Sequence, residues 1–187
     1  MIEIDFNDQI ENANLILNGV KNGVPIATYR AMNRSLITAR SETSKEIRKK
    51  YNIKSRDIKD KSNTRITKAS RNTLQSSITY AGRVIPLKNF SVKAPNSKSD
   101  RLKVAVKKGS KKPLNSAFIA NLGKYGPGIF QRQTSQRKSS KQLYGPSVAH
   151  MVEEENVLDG IATKTKDMFE KRMDHEINVI LKGYGIK

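Results

Sequence analysis

The sequence predicts an α+β fold in which an antiparallel sheet of about four strands is flanked by a long basic helix in the N-terminal half and a long C-terminal helix. Apolar residues recur at helical spacing near both ends of the chain, whereas the middle shows short runs of alternating apolar and polar residues. These runs are separated by loops and not by helices, which favours antiparallel pairing. The length of 187 residues suits a single domain over residues 1–187, with a short arm and helix over 1–22.

The first element is an arm followed by a helix. Ile2, Ile4 and Phe6 alternate with acidic residues, which predicts a short strand or an apolar arm. Asn7 or Asp8 is predicted to cap the helix that follows. The spacing of that helix is carried by Ile10, Ala13, Leu17 and Val20.

A turn at residues 19–23 leads to the second helix, predicted over residues 25–50 with Pro25 in its first turn. Such a helix is about 39 Å long. Its apolar face is thin and comprises Tyr29, Met32, Leu36, Ala39, Thr43 and Ile47. Six basic residues lie largely off this face: Arg30, Arg34, Arg40, Arg48, Lys49 and Lys50. Because the helix is too polar to be stable alone, one side is expected to pack on a sheet or on another subunit.

The middle of the chain predicts strands and exposed loops. Ser55 is predicted to cap a brief helix. Leu102, Val104 and Val106 alternate with lysines and give the clearest strand pattern. Weaker strand patterns occupy residues 64–70, 74–80, 117–120 and 128–132, with a turn at 126–128. Loops are predicted over 94–100, 107–112 and 133–141, and the first and last of these are expected to be mobile.

The C-terminal part predicts a second long helix. Glu153, Glu154 and Glu155 lie near its start, where the helix dipole favours acidic residues, and Gly183 ends it. Its apolar face comprises Val157, Ile161, Met168, Phe169, Met173, Ile177, Ile180 and Leu181.

Charge is distributed unevenly along the chain. Residues 24–150 hold 29 of the 36 basic residues but only 5 of the 17 acidic ones, giving this stretch a net charge of +24 against +19 for the whole chain. A field of this size attracts polyanions, either nucleic acid or an acidic protein surface. The alternative is that the excess Lys and Arg only keep the chain soluble, although solubility does not require acid-poor clustering.

The sequence contains little catalytic equipment, so we expect no enzymatic activity, no metal and no cofactor. Cysteine is absent, and His150 and His175 lack partners at metal-ligand spacing. Glu153–Glu155 resembles nuclease-type metal ligands but fits a helix N-terminus better. The glycines of residues 123–128 lack the Gly-Lys-Ser/Thr ending of a phosphate loop.

No apolar run is long enough to cross a membrane, and the first residues lack the basic region of a secretory signal, so the chain is expected to be made in the cytoplasm. Named nucleic-acid-binding motifs are absent as well. Contact with DNA is therefore expected to be with phosphates and independent of sequence. The residues predicted to contact DNA or an acidic partner are Arg30, Arg34, Arg40, Arg48, Lys49 and Lys50.

Three segments, in this order and spacing, resemble the prophage minor tail protein Z family of long-tailed phages. They are the basic helix over residues 31–51, the segment Gly82–Phe90 containing Ile85-Pro86-Leu87, and the segment Gln142–Met151 containing Tyr144-Gly145-Pro146-Ser147. The resemblance covers about residues 1–182. One departure is the polar stretch at residues 137–141, where the family often has apolar residues.

The resemblance implies a structural virion protein that completes the tail or joins it to the head, near the path of the DNA. Other tail and neck proteins are its implied partners, together with further copies of itself, with a six-membered ring expected by analogy. The two loop motifs have two interpretations, turn chemistry or subunit joining; their residues are Ile85, Pro86, Leu87, Phe90, Tyr144, Gly145, Pro146 and Ser147. Phe90 and Tyr144 are the aromatic residues expected to act as anchors. A free, sequence-independent nucleic-acid-binding protein is the alternative function.

Overall fold

A computed structural model of the chain describes residues 4–95, 101–122, 126–134, 139–154 and 157–183. The chain divides into two compact units. Unit 1 comprises Met1–Thr43, Arg65–Thr79 and Glu154–Lys187, and unit 2 comprises Ser44–Thr64 and Tyr80–Glu153.

The described residues confirm an α+β fold. The helices are α1 (Asn7–Ile16), α2 (Gly23–Lys50), α3 (Ser55–Lys59), α4 (Val148–Val152) and α5 (Val157–Leu181), and Leu87–Asn89 forms a 3-10 turn. The strands are β1 (Thr64–Thr67), β2 (Ser77–Tyr80), β3 (Val84–Pro86), β4 (Ser91–Lys93), β5 (Leu102–Ala105), β6 (Lys112–Leu114), β7 (Ala117–Asn121), β8 (Pro127–Arg132), β9 (Ser140–Gln142) and β10 (Tyr144–Ser147).

The prediction of one sheet of about four strands is wrong. The described strands form four small sheets, with the orders β1-β2, β10-β3, β4-β5-β6 and β7-β8-β9. Strands β3, β6, β8 and β10 each contain a proline, and proline has no backbone N–H to donate to a neighbouring strand. These prolines limit the growth of three of the four hydrogen-bonded ladders, whereas the β1-β2 pair contains none.

The core of unit 1 lies between helices α1, α2 and α5. Phe169 of α5 is fully buried and stacks on Phe6 with ring centroids 3.9 Å apart. The rest of the buried cluster comprises Ala13, Leu17, Ile26, Ala27, Ala31, Met32, Ala69, Met173, Ile177 and Ile180. The predicted apolar face of the C-terminal helix is therefore largely confirmed. The exceptions are Met168, which is only half-buried, and Leu181, which is 55% exposed at the end of α5.

Helix α2 begins at Gly23, so Pro25 lies in its first turn as predicted, and its 28 residues span about 42 Å. It packs antiparallel to α5 within unit 1. Arg30 of α2 bonds Glu176 of α5 at 3.3 Å, and Glu42 of α2 bonds Lys164 of α5 at 3.0 Å. The second pair lies twelve residues further along α2 but twelve residues earlier in α5, so the two helices run in opposite directions. The buried face of α2 is wider than the predicted stripe because it also includes small polar side chains such as Thr28 and Ser35.

The predicted helix caps were wrong in detail. Neither Asn7 nor Asp8 caps α1; the carboxylate of Asp5 instead accepts the backbone N–H of Asn7 at 2.9 Å. Ser55 is the first residue of α3 and not its cap, and its hydroxyl bonds that of Ser44 at 2.8 Å. Short polar side chains near a helix start can bond other groups, so the spacing alone did not identify the cap.

The C-terminal region contains two helices where one was predicted. Helix α4 ends at Val152 and α5 begins at Val157, with Glu153 and Glu154 in the connection; Glu155 lies outside the described residues. Gly183 has φ +76° and donates its N–H to Ile180 O, which agrees with the predicted helix end.

Part of the predicted loop over residues 133–141 is a strand. Ser140 and Lys141 belong to β9 and pair with Arg132 and Gln131 of β8, respectively. Backbone pairing needs no apolar side chain, so the polar composition concealed this strand. Residues 135–138, and residues 96–100 of the other predicted loop, lie outside the described residues.

Candidate functional site

Nearly all the excess positive charge belongs to unit 2. Its residues carry 23 Lys and Arg against 5 Asp and Glu, a net charge of +18, whereas unit 1 has a net charge of +1. Unit 2 is therefore the part of the chain that attracts polyanions most strongly.

The six basic residues predicted on the second helix fall in both units. Arg30, Arg34 and Arg40 belong to unit 1, whereas Arg48, Lys49 and Lys50 belong to unit 2. Arg34 and Arg48 are exposed, and neither forms an ion pair with a described residue. They are the members of this set best placed to meet an external partner.

Arg30 already has acidic and phenolic neighbours. Its guanidinium donates to Glu176 at 3.3 Å and hydrogen-bonds the hydroxyl of Tyr29. The bond from Arg30, assisted by Arg71 and opposed by burial, lowers the pKa of Tyr29. The same bond to Tyr29 raises the pKa of Arg30, as does Glu176. Arg30 thus links α2 to α5 within unit 1.

The other residues of the set are less uniform. Arg40 is half-buried. Lys49 bonds Glu46 at 2.7 Å, but its side chain is 66% exposed. Lys50 is half-buried, and its backbone carbonyl accepts the N–H of Lys108 at 2.8 Å. Lys49 can still reach an external anion, whereas Arg40 and Lys50 are partly enclosed.

The two loop motifs, nearly sixty residues apart in sequence, form one structure in unit 2. Strand β3 pairs antiparallel with β10, so that Pro86 lies opposite Tyr144 and Ile85 lies opposite Gly145. The pairing continues past β3, because Leu87 donates its N–H to Leu143 O at 3.1 Å.

Phe90 packs directly on Gly145. A Cβ atom placed on Gly145 would lie 2.6 Å from Phe90 Cε2, closer than any ordinary contact. Phe90 is only 6% exposed, and Ile85 and Leu87 are buried beside it in sequence. The close approach of the ring therefore disfavours any side chain at position 145.

Pro146 and Ser147 complete the motif. The register shifts between Gly145 and Ser147, so Pro146 occupies an irregularity where its missing N–H breaks no ladder bond. Ser147 caps α4, because its hydroxyl accepts the N–H of His150 at 3.2 Å. These contacts support turn and packing roles for both residues.

Two side chains of this paired structure face outward. Val84 is 56% exposed and Tyr144 is 42% exposed, and the Tyr144 hydroxyl donates to Gln142 Oε1 at 2.8 Å. Of the two predicted aromatic anchors, Tyr144 is accessible to a partner, whereas Phe90 is enclosed in unit 2.

An open cavity of about 380 Å³ lies in unit 2 beside these motifs. Its described lining residues are Tyr51, Leu87, Val104, Val106, Lys107, Ser110, Lys112, Leu114, Pro146 and His150. Lys107 lies over the Tyr51 ring, with Nζ 5.5 Å from its centroid. The alternation of Leu102, Val104 and Val106 predicted the strand but did not reveal that two of these residues line a cavity.

The described residues contain no group of three or more His, Asp or Glu that could hold a metal ion. His150 and His175 are both exposed, and they lie in α4 and α5, respectively. Among the described helices, none combines the length and the apolar composition that a bilayer crossing requires.

Comparison with known families gives a match over nearly the whole chain. The family model described as prophage minor tail protein Z (GPZ) matches residues 9–186. Neither curated proteins nor solved structures gave a significant match.

Proposed function

Because the chain belongs to the prophage minor tail protein Z family and is thus a structural component of a phage tail, we propose that it completes the head-proximal end of a long tail. There it joins other tail and neck proteins near the path of the DNA, as a homo-oligomeric ring and without catalysis. The match over residues 9–186 carries this proposal.

The charge of unit 2 supports a position next to a polyanion. A net charge of +18 in one compact unit attracts DNA phosphates or acidic protein faces. Arg34, Arg48 and Lys49 are the exposed members of the predicted contact set and are the ones proposed to make such contacts. Tyr144 is proposed as an aromatic anchor for a neighbouring subunit.

A ring of such subunits has to neutralise its own charge. Six copies would have a net charge of about +114, and this repulsion opposes assembly unless salt, DNA or acidic neighbours offset it. The proposal therefore includes acidic tail or neck proteins as neighbours, because DNA held by every Lys and Arg would not pass freely.

The second candidate function is free, sequence-independent binding of nucleic acid, which the charge of unit 2 also favours. The two candidates differ in where the protein is found. A tail component remains in purified particles at physiological salt, whereas a free binder stays in the soluble fraction and releases DNA steeply as salt increases.

Gold labelling of the protein in purified phage particles tests the proposal directly. We expect label at the junction of tail and head, and particles made without the protein are expected to have unjoined tails. Label at the distal tip would contradict the head-proximal position, and its absence from particles would support the free binder.

Charge reversal tests the DNA contact separately. Arg34→Glu and Arg48→Glu are each expected to reduce the slope of log K against log salt concentration for DNA binding by about one, which corresponds to one fewer released counterion. Lys166→Glu, at an exposed position of α5 outside the predicted contact set, is the matched control. Equal effects at all three positions would indicate general attraction and not a defined contact.

A further inference from the structure

Helix α1 of unit 1 exposes one face that carries Leu15 and two carboxylates, and Ile16 is exposed beside that face. Leu15 is 79% exposed and Ile16 is 53% exposed. Asp8 and Glu11 are also exposed, and the steps of three and four residues from Asp8 through Glu11 to Leu15 place all three on the same side of the helix. Helix α1 contains no Lys or Arg, so this face is negatively charged in a strongly basic chain.

Isolated exposed apolar residues are common, but Leu15 shares its helix face with two carboxylates, and Ile16 follows it about 100° around the axis. Leu15 is the most exposed large hydrophobic residue in the described part of the chain. A helix face of this kind fits an apolar depression with a positively charged rim, because the apolar side chains lose water there while the carboxylates gain partners.

The cavity in unit 2 has this complementary chemistry. Its walls are largely apolar, including Leu87, Val104 and Leu114, and its volume of about 380 Å³ is sufficient for a pair of aliphatic side chains. Lys107 and Lys112 supply positive charge, and none of the described residues lining it is acidic.

We propose that α1 of one copy docks in the unit 2 cavity of a second copy. Leu15 enters the cavity, Ile16 packs at its edge, and Asp8 and Glu11 face Lys107 and Lys112. The occupant is a second copy because this one chain carries both complementary surfaces, and a local attraction between them offsets part of the repulsion between basic units.

The two surfaces are different, so the contact is heterologous and repeats from copy to copy in the same direction. Contacts of this type generate rings when the rotation closes and filaments when it does not. Closure of these contacts into a ring rests on the proposed function. The docking of α1 in the cavity does not depend on where the protein lies in the phage particle.

Crosslinking between two marked populations tests the docking, and the absence of native cysteine makes every introduced thiol unique. One population carries Asn12→Cys on the exposed side of α1, and the other carries Ser110→Cys at the cavity; both side chains are exposed. Mixed full-length chains treated with a short bismaleimide are expected to form a crosslinked dimer. The control replaces Ser110→Cys by Lys171→Cys, at an exposed position of α5.

Variants then distinguish docking from random collision. Leu15→Asp in the Asn12→Cys chain is expected to weaken association by roughly thirtyfold, as for loss of an interface anchor. Glu11→Lys in the same chain, or Lys112→Glu in the Ser110→Cys chain, is expected to weaken it by about tenfold. Both reversals together restore the opposite charges and are expected to recover association to within about threefold.

Equal crosslinking of the Ser110→Cys and Lys171→Cys chains would overturn the proposal, as would charge reversals without mutual rescue. Either result leaves the proposed tail function standing if gold label is still found at the head-proximal end. Conversely, specific crosslinking by a protein that is absent from particles would retain the docking and refute the function.

Discussion

Replacement of Gly145 by alanine tests the packing that joins the two loop motifs. The new Cβ would lie 2.6, 3.0 and 3.3 Å from three atoms of the Phe90 ring, whereas carbon atoms in favourable contact are about 3.5–4.0 Å apart. The overlap is therefore about 1 Å. Relief requires movement of the ring or of β10, but Phe90 is 6% exposed and β10 is held by its pairing with β3.

Overpacking of this kind typically costs about 1–3 kcal/mol, and the enclosed ring places Gly145→Ala in the upper half of that range. Urea unfolding followed by far-UV circular dichroism measures the loss as a lower midpoint. Gly82→Ala is the matched control, because nothing lies within 4 Å of its added Cβ. That control is expected to be neutral or to stabilise by up to about 1 kcal/mol.

A second substitution separates steric overlap from other effects of alanine. Phe90→Leu creates space and is destabilising alone, but it is expected to reduce the additional cost of Gly145→Ala, giving a coupling of at least about 0.5 kcal/mol. If Gly145→Ala unfolds at the same urea concentration as Gly82→Ala, or if the two substitutions are additive, the proposed Gly145–Phe90 contact is incorrect.

Three further predictions concern single contacts. The pKa of Tyr29 is lowered in the folded chain, so the contribution of Tyr29 to stability is present at high pH and is lost as the pH falls through the folded pKa. In an absorbance titration, the tyrosine that is missing from the Tyr29→Phe variant is expected to ionise at a lower pH than the average of the other five tyrosines. Ionisation at a higher pH would contradict this prediction. Lys164→Ala is expected to lower the free energy of unfolding in urea by about 1 kcal/mol, because it removes the 3.0 Å partner of the enclosed Glu42 carboxylate, although Lys164 itself is 51% exposed. Lys166→Ala, at a neighbouring exposed position, is the control. Equal effects of the two substitutions would refute the argument. Ser147→Ala is expected to cost about 1 kcal/mol through loss of the α4 cap, whereas Ser147→Thr keeps most of it, and equal losses in the two variants would reject the capping role.

The long helices could be predicted because their signals are local and repeated. Pro25 and the spacing of apolar residues identified α2 to within two residues at its start. The strong stripe of α5 was identified for the same reason, but its start was predicted near Glu153 instead of Val157, and the short helix α4 was not predicted. The acidic residues Glu153–Glu155 did indicate a helix start in this region, but they placed it about four residues too early.

The sheets could not be predicted because strand pairing depends on partners far apart in sequence. The Ile85-Pro86-Leu87 and Tyr144-Gly145-Pro146 segments were recognised separately, but neither one specifies the other as its partner. The same limitation applies to the candidate site. The cavity draws residues from α2's end, β5, β6 and α4, and no spacing rule connects such distant positions.

The charge division between the units constrains how the chain can act in a phage tail. If the whole +18 of unit 2 faced a DNA channel, each phosphate contact would add salt-dependent affinity and slow the passage of the genome. If none of it met an anion, close packing of several copies would be opposed by their mutual repulsion. We therefore propose that protein carboxylates neutralise part of the charge, in addition to salt and DNA, and α1, with Asp8 and Glu11 but no basic residue, is one source of them within the chain itself.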